Sequence, residues 1–194
     1  ITTPKIRLRI NSPGGEVHDG MAIYNALCRH PARVEVRVDG VAASIASIIA
    51  MAGDEIVMEQ GSQIMIHDAM MMIFGNAAEL ERAVARLHQT STDLAGIYAA
   101  RAGGTVDAWR QLMLAETWYT AQEAVDAGLA NRIGVREVRA SDADVPVRTF
   151  DLGIFNYAGR DAAPAPRSVS AVVPAPDTAA IDVSAFKLAI SGAL

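Results

Sequence analysis

A serine stands at the mouth of an apolar segment of the chain. In "VDGVAASIAS", Ser44 follows small residues and precedes Ile45 and the apolar run that ends in "AMAG". Such a hydroxyl can cap the first turn of a helix by accepting an amide hydrogen bond. It can also act as a nucleophile when a neighbouring base takes its proton, and the amide of Ile45 at a helix N-terminus would then favour a developing oxyanion. The choice between these roles depends on the base.

Histidine is the base that the sequence makes available. The two lysines, Lys5 near the start of a predicted strand and Lys187 near the C-terminal end, are poorly placed for a serine–lysine pair. His67 ends the apolar segment "IMIH", where it could serve as a base or be a hydrogen-bonded core histidine. The remaining histidines fit solvated helix positions: His18, His30 and His88. His67 is therefore the candidate general base.

A carboxylate normally fixes the tautomer of such an imidazole. Asp68 adjoins His67, but successive side chains of a strand point to opposite faces, so we expect Asp68 to point away. Glu116, in "LAETWYTAQEA", is the better candidate. Catalysis by a serine, a histidine and a carboxylate needs no metal ion and no cofactor, and we predict neither.

A glycine-rich turn offers a further site element. The segment "NSPGG", residues 11–15, follows one predicted strand and precedes a helix. Its two glycines would let backbone amides face a ligand closely, as the amides of an oxyanion hole do. On its own, however, Pro-Gly-Gly more often marks only a turn.

Apolar periodicity places these residues on an α/β fold. The segments "KIRLRI" and "RVEVRV" alternate polar and apolar residues, as a strand with one buried face does. Between them, apolar residues at helical spacing predict a helix that ends before Pro31: Val17, Met21, Tyr24 and Cys28. A strand, a helix and a strand form a βαβ unit with parallel strands. Open α/β folds place their sites at the carboxyl ends of such strands.

The same alternation continues along the chain. We predict a short apolar helix over residues 45–52, strands in "DEIVME" and "SQIMIH", and a long helix from Leu80 to Tyr98 that ends near Gly103. Further helices are predicted over residues 106–114 and in "TAQEAVDAGLANRI", which closes with a short strand.

These elements predict one domain with a C-terminal tail. The domain covers residues 1–135, and its natural N-terminus is expected to be missing because the chain starts without Met, close to a strand. Residues 136–160 are predicted to be an irregular extension. Within residues 161–194 we predict a flexible linker rich in Ala and Pro over residues 161–180, which does not pack on the domain. The short apolar segment that follows could dock on the domain or be a frayed terminus.

The composition excludes several classes of function. The chain of 194 residues has a formal net charge of −5 and no run of Lys and Arg, so we expect no nucleic-acid partner. No signal peptide is visible, and the longest apolar run is far shorter than the ~20 residues that cross a membrane. Cys28 is the only cysteine, which excludes an internal disulfide and is compatible with a reducing compartment. We therefore expect a cytoplasmic protein without a membrane partner.

Four blocks of the sequence, in this order, are similar to signature blocks of the ClpP family of serine peptidases. They are "INSPGGEVHDGMAIYNAL", "VDGVAASIASIIAMAGDEIV", "IMIHDA" and "ETWYTAQEAVDAGLANRI", and the resemblance as a whole extends over about residues 6–133. Within that family the chain resembles most closely the phage-borne, ClpP-related head maturation proteases. The resemblance implies a crotonase-like stack of βαβ units and assembly of identical subunits into rings.

The resemblance also implies a role for each candidate residue. Ser44 would be the nucleophile, His67 the general base, and the amides of Gly14 and Ile45 the oxyanion hole. The acid of the family is an aspartate, and its position falls on Glu116, which is one methylene longer and can still orient an imidazole. The long helix and a hairpin before it, "MMMIFGN" in this chain, would join subunits, although these apolar residues could equally be ordinary core.

Several functions are compatible with these observations. The main hypothesis is a serine endopeptidase that cleaves scaffold or capsid protein during phage head maturation. The alternative within the same class is a general ClpP-type subunit that degrades unfolded protein with an ATPase partner. A crotonase-fold acyl-CoA enzyme would need a phosphate site, and no cluster of Lys and Arg lies near "NSPGG". An inactive, ring-forming assembly protein is supported only by the departure at Glu116.

Overall fold

The computed structural model describes residues 4–135 and 150–169, and its helices and strands all lie in the first of these ranges. The strands are β1 (Lys5–Ser12), β2 (Arg33–Ala43), β3 (Glu55–Met58), β4 (Gln63–Ile66), β5 (Thr117–Thr120) and β6 (Arg132–Ile133). The helices are α1 (Val17–Cys28), α2 (Ile45–Ala50), α3 (Ala77–Ala102), α4 (Val106–Leu114) and α5 (Ala121–Asp126). The α/β fold that the periodicity predicts is confirmed.

Strand β2 is the centre of the sheet. It pairs in parallel with β1 and β3 along its first part, and its last three residues pair in parallel with β4. β6 is parallel to β3, whereas β5 runs antiparallel to β4. The register places Ala43 opposite Met65, so the chain leaves β2 and β4 at the same edge of the sheet. Ser44 and His67, which follow these two strands closely, therefore start from neighbouring positions.

A buried helix and several aromatic side chains close the core. All residues of α2 except Ile49 are buried, and the helix packs against α1 and β2. Trp109 of α4 and Tyr98 of α3 are almost completely buried, with ring centroids 5.6 Å apart. Apart from Ser47, the α2 segment is apolar on all sides, as is typical of a helix inside a molecule. Its N-terminal end lies at the edge of the sheet, next to Ser44.

Helix α3 is packed along only part of its length. Asn76 caps it through a capping box with Glu79. Ser91, Leu94, Ala95 and Tyr98 of the second half are buried, whereas Ala83 is the buried residue of the first half. In the described part of the chain, no helix combines the length and the apolar character that a membrane crossing requires.

Two segments differ from the sequence-based expectations. β5 was not expected, because the four residues "TWYT" are too few to display a period and their pairing with β4 is set by the tertiary fold. Residues 70–76, where the resemblance implied a hairpin, form neither a helix nor a strand. Their side chains are largely exposed, with Met72 and Phe74 at 94% and 96%, so the segment is not ordinary core. An exposed segment gains strand structure only by pairing with a second strand, and these residues pair with none in the described chain.

Residues 150–163, which we call the strap, lie against the domain without forming a helix or a strand. Phe155 and Ala163 of the strap are buried in a small cluster with Met65 and Trp118. Beyond the strap, Val169 packs against the main core. The expectation that the linker of residues 161–180 does not pack on the domain is therefore wrong for Ala163 and Val169, because each packs against apolar side chains of the domain. Residues 136–149 and 170–194, which hold the rest of the predicted extension and tail, lie outside the described residues.

Candidate active site

Ser44 occupies a sharp turn between β2 and α2. Its backbone has φ 55° and ψ −131°, a conformation that is uncommon for a residue other than glycine. The amide of Ser44 donates to the carbonyl of Met65 at 3.0 Å, which ties the turn to the end of β4. The hydroxyl makes no capping hydrogen bond to α2. A strained turn between a strand and a helix presents a side chain to a pocket, as the nucleophile turns of the α/β-hydrolase fold do.

His67 is the first residue after β4, and its imidazole meets the Ser44 hydroxyl. Nε2 of His67 lies 2.7 Å from Oγ of Ser44, which is hydrogen-bond distance. Burial lowers the pKa of His67 from its ordinary value of 6.5, and the charges of Glu116 and Asp68 oppose that shift. An imidazole that is neutral near pH 7 can accept the proton of the hydroxyl.

Ser47 and Tyr98 support the turn from inside the core. Oγ of Ser47 donates to the carbonyl of Ser44 at 2.5 Å and lies 2.6 Å from the hydroxyl of Tyr98. Burial raises the pKa of Tyr98, so its hydroxyl stays protonated and can donate to Ser47. Sequence analysis gave Ser47 no role. Its signal was a lone hydroxyl within an apolar helix, but the partner is 51 residues away.

Gly14 and Ile45 carry the amides that the resemblance implies for an oxyanion hole. Gly14 has φ 103°, and a Cβ atom there would lie 2.7 Å from Cβ of Ser44. Only glycine therefore fits beside the turn. The amide of Gly14 donates to Oγ of Ser12 at 3.2 Å. Ile45 is the first residue of α2, where helical geometry leaves an amide without an intrahelical partner.

Glu116 is buried beside the site, with 4% of its surface exposed. Its carboxylate accepts three hydrogen bonds, from Nε1 of Trp118 at 3.1 Å and from the amides of Asn156 at 2.7 Å and Tyr157 at 2.9 Å. Among the described contacts, none joins this carboxylate to His67 by a hydrogen bond. Glu116 acts on the imidazole through its charge, which favours the protonated form. Its place as the third catalytic residue remains a prediction.

Asp68 has a partner of its own. Its carboxylate forms an ion pair with the guanidinium of Arg110 on α4. The side chain of Arg110 is mostly buried, whereas that of Asp68 is about a quarter exposed, at 26%. The pair ties the segment after β4 to α4, and it gives Asp68 a structural role that does not require contact with the imidazole.

Phe155 of the strap contacts the imidazole directly. The ring centroids of Phe155 and His67 are 5.3 Å apart at an interplanar angle of 80°, an edge-to-face arrangement. Sequence analysis missed Phe155. The available signal was the run "FNY" in a stretch otherwise read as irregular, which indicates buried aromatic side chains but does not say where they pack.

A pocket of about 150 Å³ opens above Ser44 and His67. Its other walls are largely apolar and include Ile45, Ile48, Leu94, Met70, Ile154 and Phe155. The described residues include no group of three or more His, Cys, Asp or Glu side chains arranged to hold a metal ion. A hydroxyl in contact with a neutral imidazole, at the floor of an apolar pocket, is an arrangement suited to nucleophilic catalysis.

The fold and the site define an α/β protein with a serine–histidine pair at the ends of two parallel strands. The sequence model of one family, described as Clp protease, matches residues 2–137. The chain belongs to the Clp protease family. The strap begins beyond the matched residues.

Individual relatives agree with this assignment. The chain is 34% identical over 128 residues to the ATP-dependent Clp protease proteolytic subunit 1 of Protochlamydia amoebophila, which covers 64% of this chain and 62% of that protein. It is 35% identical over 130 residues to the ATP-dependent Clp protease proteolytic subunit of Ligilactobacillus salivarius, covering 66% of each. It is 31% identical over 133 residues to the ATP-dependent Clp protease proteolytic subunit 2 of Corynebacterium glutamicum, covering 68% of this chain and 66% of that protein. The chain thus spans slightly less than two thirds of the length of these relatives.

Proposed function

We propose that this chain is a serine endopeptidase of the Clp type, with Ser44 as the nucleophile and His67 as the general base. The observation that carries the proposal is the distance of 2.7 Å between Oγ of Ser44 and Nε2 of His67. The family membership of residues 2–137 supports it, because Ser44 and His67 both lie within the matched region.

The geometry supports acyl transfer in two steps. As Oγ of Ser44 attacks the peptide carbonyl carbon, Nε2 of His67 takes the hydroxyl proton and then gives it to the departing amine. Water attacks the acyl-enzyme in the second step, and the same nitrogen first accepts and then returns a proton. The amides of Gly14 and Ile45 stabilise the tetrahedral oxyanion, for which the Gly14 amide turns from Oγ of Ser12 to the substrate.

The third catalytic role is proposed for Glu116. Its buried carboxylate favours the imidazolium that forms on His67 during each step, because opposite charges attract strongly where water is excluded. This stabilisation by charge does not require a hydrogen bond between Glu116 and Nδ1 of His67.

The pocket walls support a preference for apolar substrate side chains. Ile45, Ile48 and Leu94 line the space next to Ser44, and none of them can pair with a charged group. We therefore propose an extended segment of protein or peptide as the substrate, with an apolar residue beside the cleaved bond.

An assembly of identical chains is part of the proposal. The apolar side chains of residues 70–74 are exposed, and so are Leu80 and Val84 of α3, at 40% and 52%. Exposed apolar side chains that gather into a patch are typical of a protein interface, and we propose that these side chains do so. The names of the relatives contain "ATP-dependent" and "subunit", which supports an assembly that works with an ATPase. That the assembly is a ring and that it works in the cytoplasm are further parts of the proposal.

Head maturation in a phage is the narrower hypothesis. The relatives described above are Clp proteolytic subunits of bacteria, and they support a general ClpP-type peptidase better than a head-specific enzyme. The two are distinguished by the substrate: a general peptidase degrades unfolded proteins to short peptides when supplied with an unfoldase, whereas a head protease cuts a folded scaffold or capsid precursor at few positions.

The proposal is tested with a fluorophosphonate probe and fluorogenic peptides. We expect one label, at Ser44, and hydrolysis of peptides with an apolar residue before the cleaved bond. Ser44→Ala should lose both, while Ser168→Ala, at an exposed serine outside the pocket, should keep both.

Other outcomes identify the rival functions. Turnover of an acyl-CoA thioester that survives Ser44→Ala would replace the proposal with the crotonase-type enzyme. A folded assembly without label or hydrolysis would indicate the inactive assembly protein.

A further inference from the structure

The strap reaches the active site through the residue proposed as its acid. The amides of Asn156 and Tyr157 both donate to the carboxylate of Glu116, one to each oxygen. These amides follow directly after Phe155, so the carboxylate fixes the backbone on which the Phe155 ring is carried. Since both donors are backbone groups, the contact depends on the path of the strap and on Glu116, and not on the side chains of Asn156 and Tyr157.

A second anchor holds the strap a few residues further on. The guanidinium of Arg160 donates to both oxygens of Glu123, at 2.7 and 2.6 Å, and its amide donates to Oε1 of Gln63 at 3.0 Å. Hydrogen bonds from Arg160 are the largest cause that lowers the pKa of Glu123 to about 2. A bidentate pair defines the orientation of both side chains. The strap is thus attached to β4, to α5 and to the residue that precedes β5.

Between the anchors and the site stands the ring of Phe155, which is 9% exposed. It contacts His67 edge to face and also contacts Trp118, whose ring centroid is 6.1 Å away. Trp118 in turn donates to Glu116. The imidazole of His67 therefore contacts the hydroxyl of Ser44 on one side and the ring of Phe155 on another, and the ring of Phe155 is itself packed against Trp118.

We propose that the strap completes the active site, and that Phe155 is a positioning residue that holds the imidazole of His67 towards Ser44. The inference rests on the proposed function, because it assigns His67 the part of the base. It extends that function to residues beyond 137, where the family match ends. Glu116 then has two effects on His67, one through its charge and one through the strap.

The ring of Phe155 acts in two ways. It restricts rotation of the imidazole, and a general base that is slightly misplaced loses much of its rate. It also keeps water from the imidazole, which contributes to the burial that lowers the pKa of His67. The charged groups that act on the imidazole of His67 are Glu116 and Asp68, and Asp68 is paired with Arg110. Both carboxylates raise the pKa of His67, whereas burial lowers it. Loss of the Phe155 ring removes part of the burial, so the pKa of His67 should rise.

The first experiment compares Phe155→Leu and Phe155→Tyr in the full chain, with kcat and KM measured on one fluorogenic peptide. We expect Phe155→Leu to lower kcat about tenfold or more with a smaller change in KM, because the leucine fills the recess but cannot orient the imidazole. Phe155→Tyr keeps the ring and should restore most of kcat. Val169→Ala, which removes packing beyond the strap and away from the pocket, is the matched control and should stay within about twofold of the parent.

The second experiment does not depend on activity. In the Ser44→Ala protein, nuclear magnetic resonance should detect a nuclear Overhauser effect between the rings of Phe155 and His67. The pKa of His67, measured by titration in the same background, should rise when Phe155→Leu or Phe155→Ala is added. It should not change with Val169→Ala.

The outcomes separate the strap from the proposed function. An unchanged kcat and an unchanged pKa of His67 in Phe155→Leu would overturn the inference, as would a rise in kcat, which would mean that the strap obstructs the site. If the parent protein neither hydrolyses peptides nor reacts with the probe, the proposed function fails. In that case the Overhauser effect and the titration still decide whether the strap holds His67.

Discussion

The two halves of the site are built by different means. The strand-end half consists of Ser44 and His67, which follow two paired parallel strands, and the amide of Ser44 donates to the carbonyl of Met65 in β4. The strap half consists of Glu116 and Phe155, which come from a turn before an antiparallel edge strand and from a segment without regular structure. Hydrogen bonds from strap amides to one carboxylate join the second half.

The difference lies in what fixes each geometry. Sheet register determines where the backbones of Ser44 and His67 lie, so small changes elsewhere leave the relative position of these two backbones intact, whereas the orientation of the imidazole also depends on Phe155. The strap half depends on the carboxylate of Glu116, which accepts hydrogen bonds from two strap amides that lie 40 and 41 residues further along the sequence. Removal of this single carboxylate releases both amides. The strand-end half should therefore tolerate changes around it, and the strap half should not.

The largest effect should follow from Ser44→Ala. Loss of the nucleophile costs about 10⁶ in kcat in a serine protease of another fold, whereas loss of one hydrogen bond to His67 should change the free energy of unfolding by only about 1 kcal/mol. Hydrolysis of an unfolded protein and the thermal midpoint, measured together, test this separation. Near-normal hydrolysis by the variant would remove Ser44 from the mechanism.

The next effect concerns Glu116→Gln, compared with Asp68→Asn. The glutamine turns an NH₂ group towards one strap amide and removes the charge beside His67, so one of the two strap hydrogen bonds is lost together with the effect of the charge. The loss in kcat/KM should approach about 10⁴, the cost of replacing the acid in a serine protease of another fold. Asp68→Asn keeps an acceptor for Arg110 and should cost no more than a few-fold.

A double variant sharpens this comparison. If Glu116 acts on His67 partly through the strap, Glu116→Gln combined with Phe155→Leu should lose less activity than the sum of the two single effects. Additive losses would show that charge and strap act independently. A larger loss in Asp68→Asn than in Glu116→Gln would contradict the assignment of the acid.

The pH dependence of kcat/KM should have its acid midpoint below 6.5. The reason is that burial lowers the pKa of His67, so the neutral base persists to lower pH before protonation removes activity. Arg160→Gln weakens the anchor of the strap to Glu123 and admits water to the imidazole, so it should move the midpoint upward, towards 6.5. A midpoint that stays where it was would show that the strap does not shield His67.

The smallest effect on activity should come from Ser47→Ala. The turn keeps its bond from Ser44 to Met65, so kcat should fall only a few-fold. Stability should respond more, because the hydroxyl of Tyr98 loses the partner shown by the structure inside the core, at a cost of about 1–3 kcal/mol. The double variant Ser47→Ala with Tyr98→Phe should recover part of that loss, as measured by denaturant unfolding. A loss of activity as large as that of Ser44→Ala would contradict the robustness of the strand-end half.

The sequence predicted those parts of the molecule that local patterns determine. The parallel strands, the five helices and the positions of Ser44 and His67 at strand ends all follow from apolar periodicity. The short β5 and the packing of the strap could not be predicted in this way, because each depends on a partner segment that is distant in sequence. Glu116 was predicted as the candidate acid through the resemblance. The hydrogen bonds that its carboxylate accepts from two strap amides are visible only in the structure.

The uneven packing of helix α3 has a consequence for the exchange of its backbone hydrogens with solvent. Among residues 77–90 of α3, Ala83 is the buried residue, so this part of the helix has little contact with the core. Isolated helices of about 12–15 residues have only marginal stability in water. In a lone copy their amides should exchange through local fraying, whereas those beyond Ser91 should exchange only when the core opens. If copies join over this surface as proposed, the protected region should grow towards Asn76, and the exchange pattern along this one helix would then report the state of assembly.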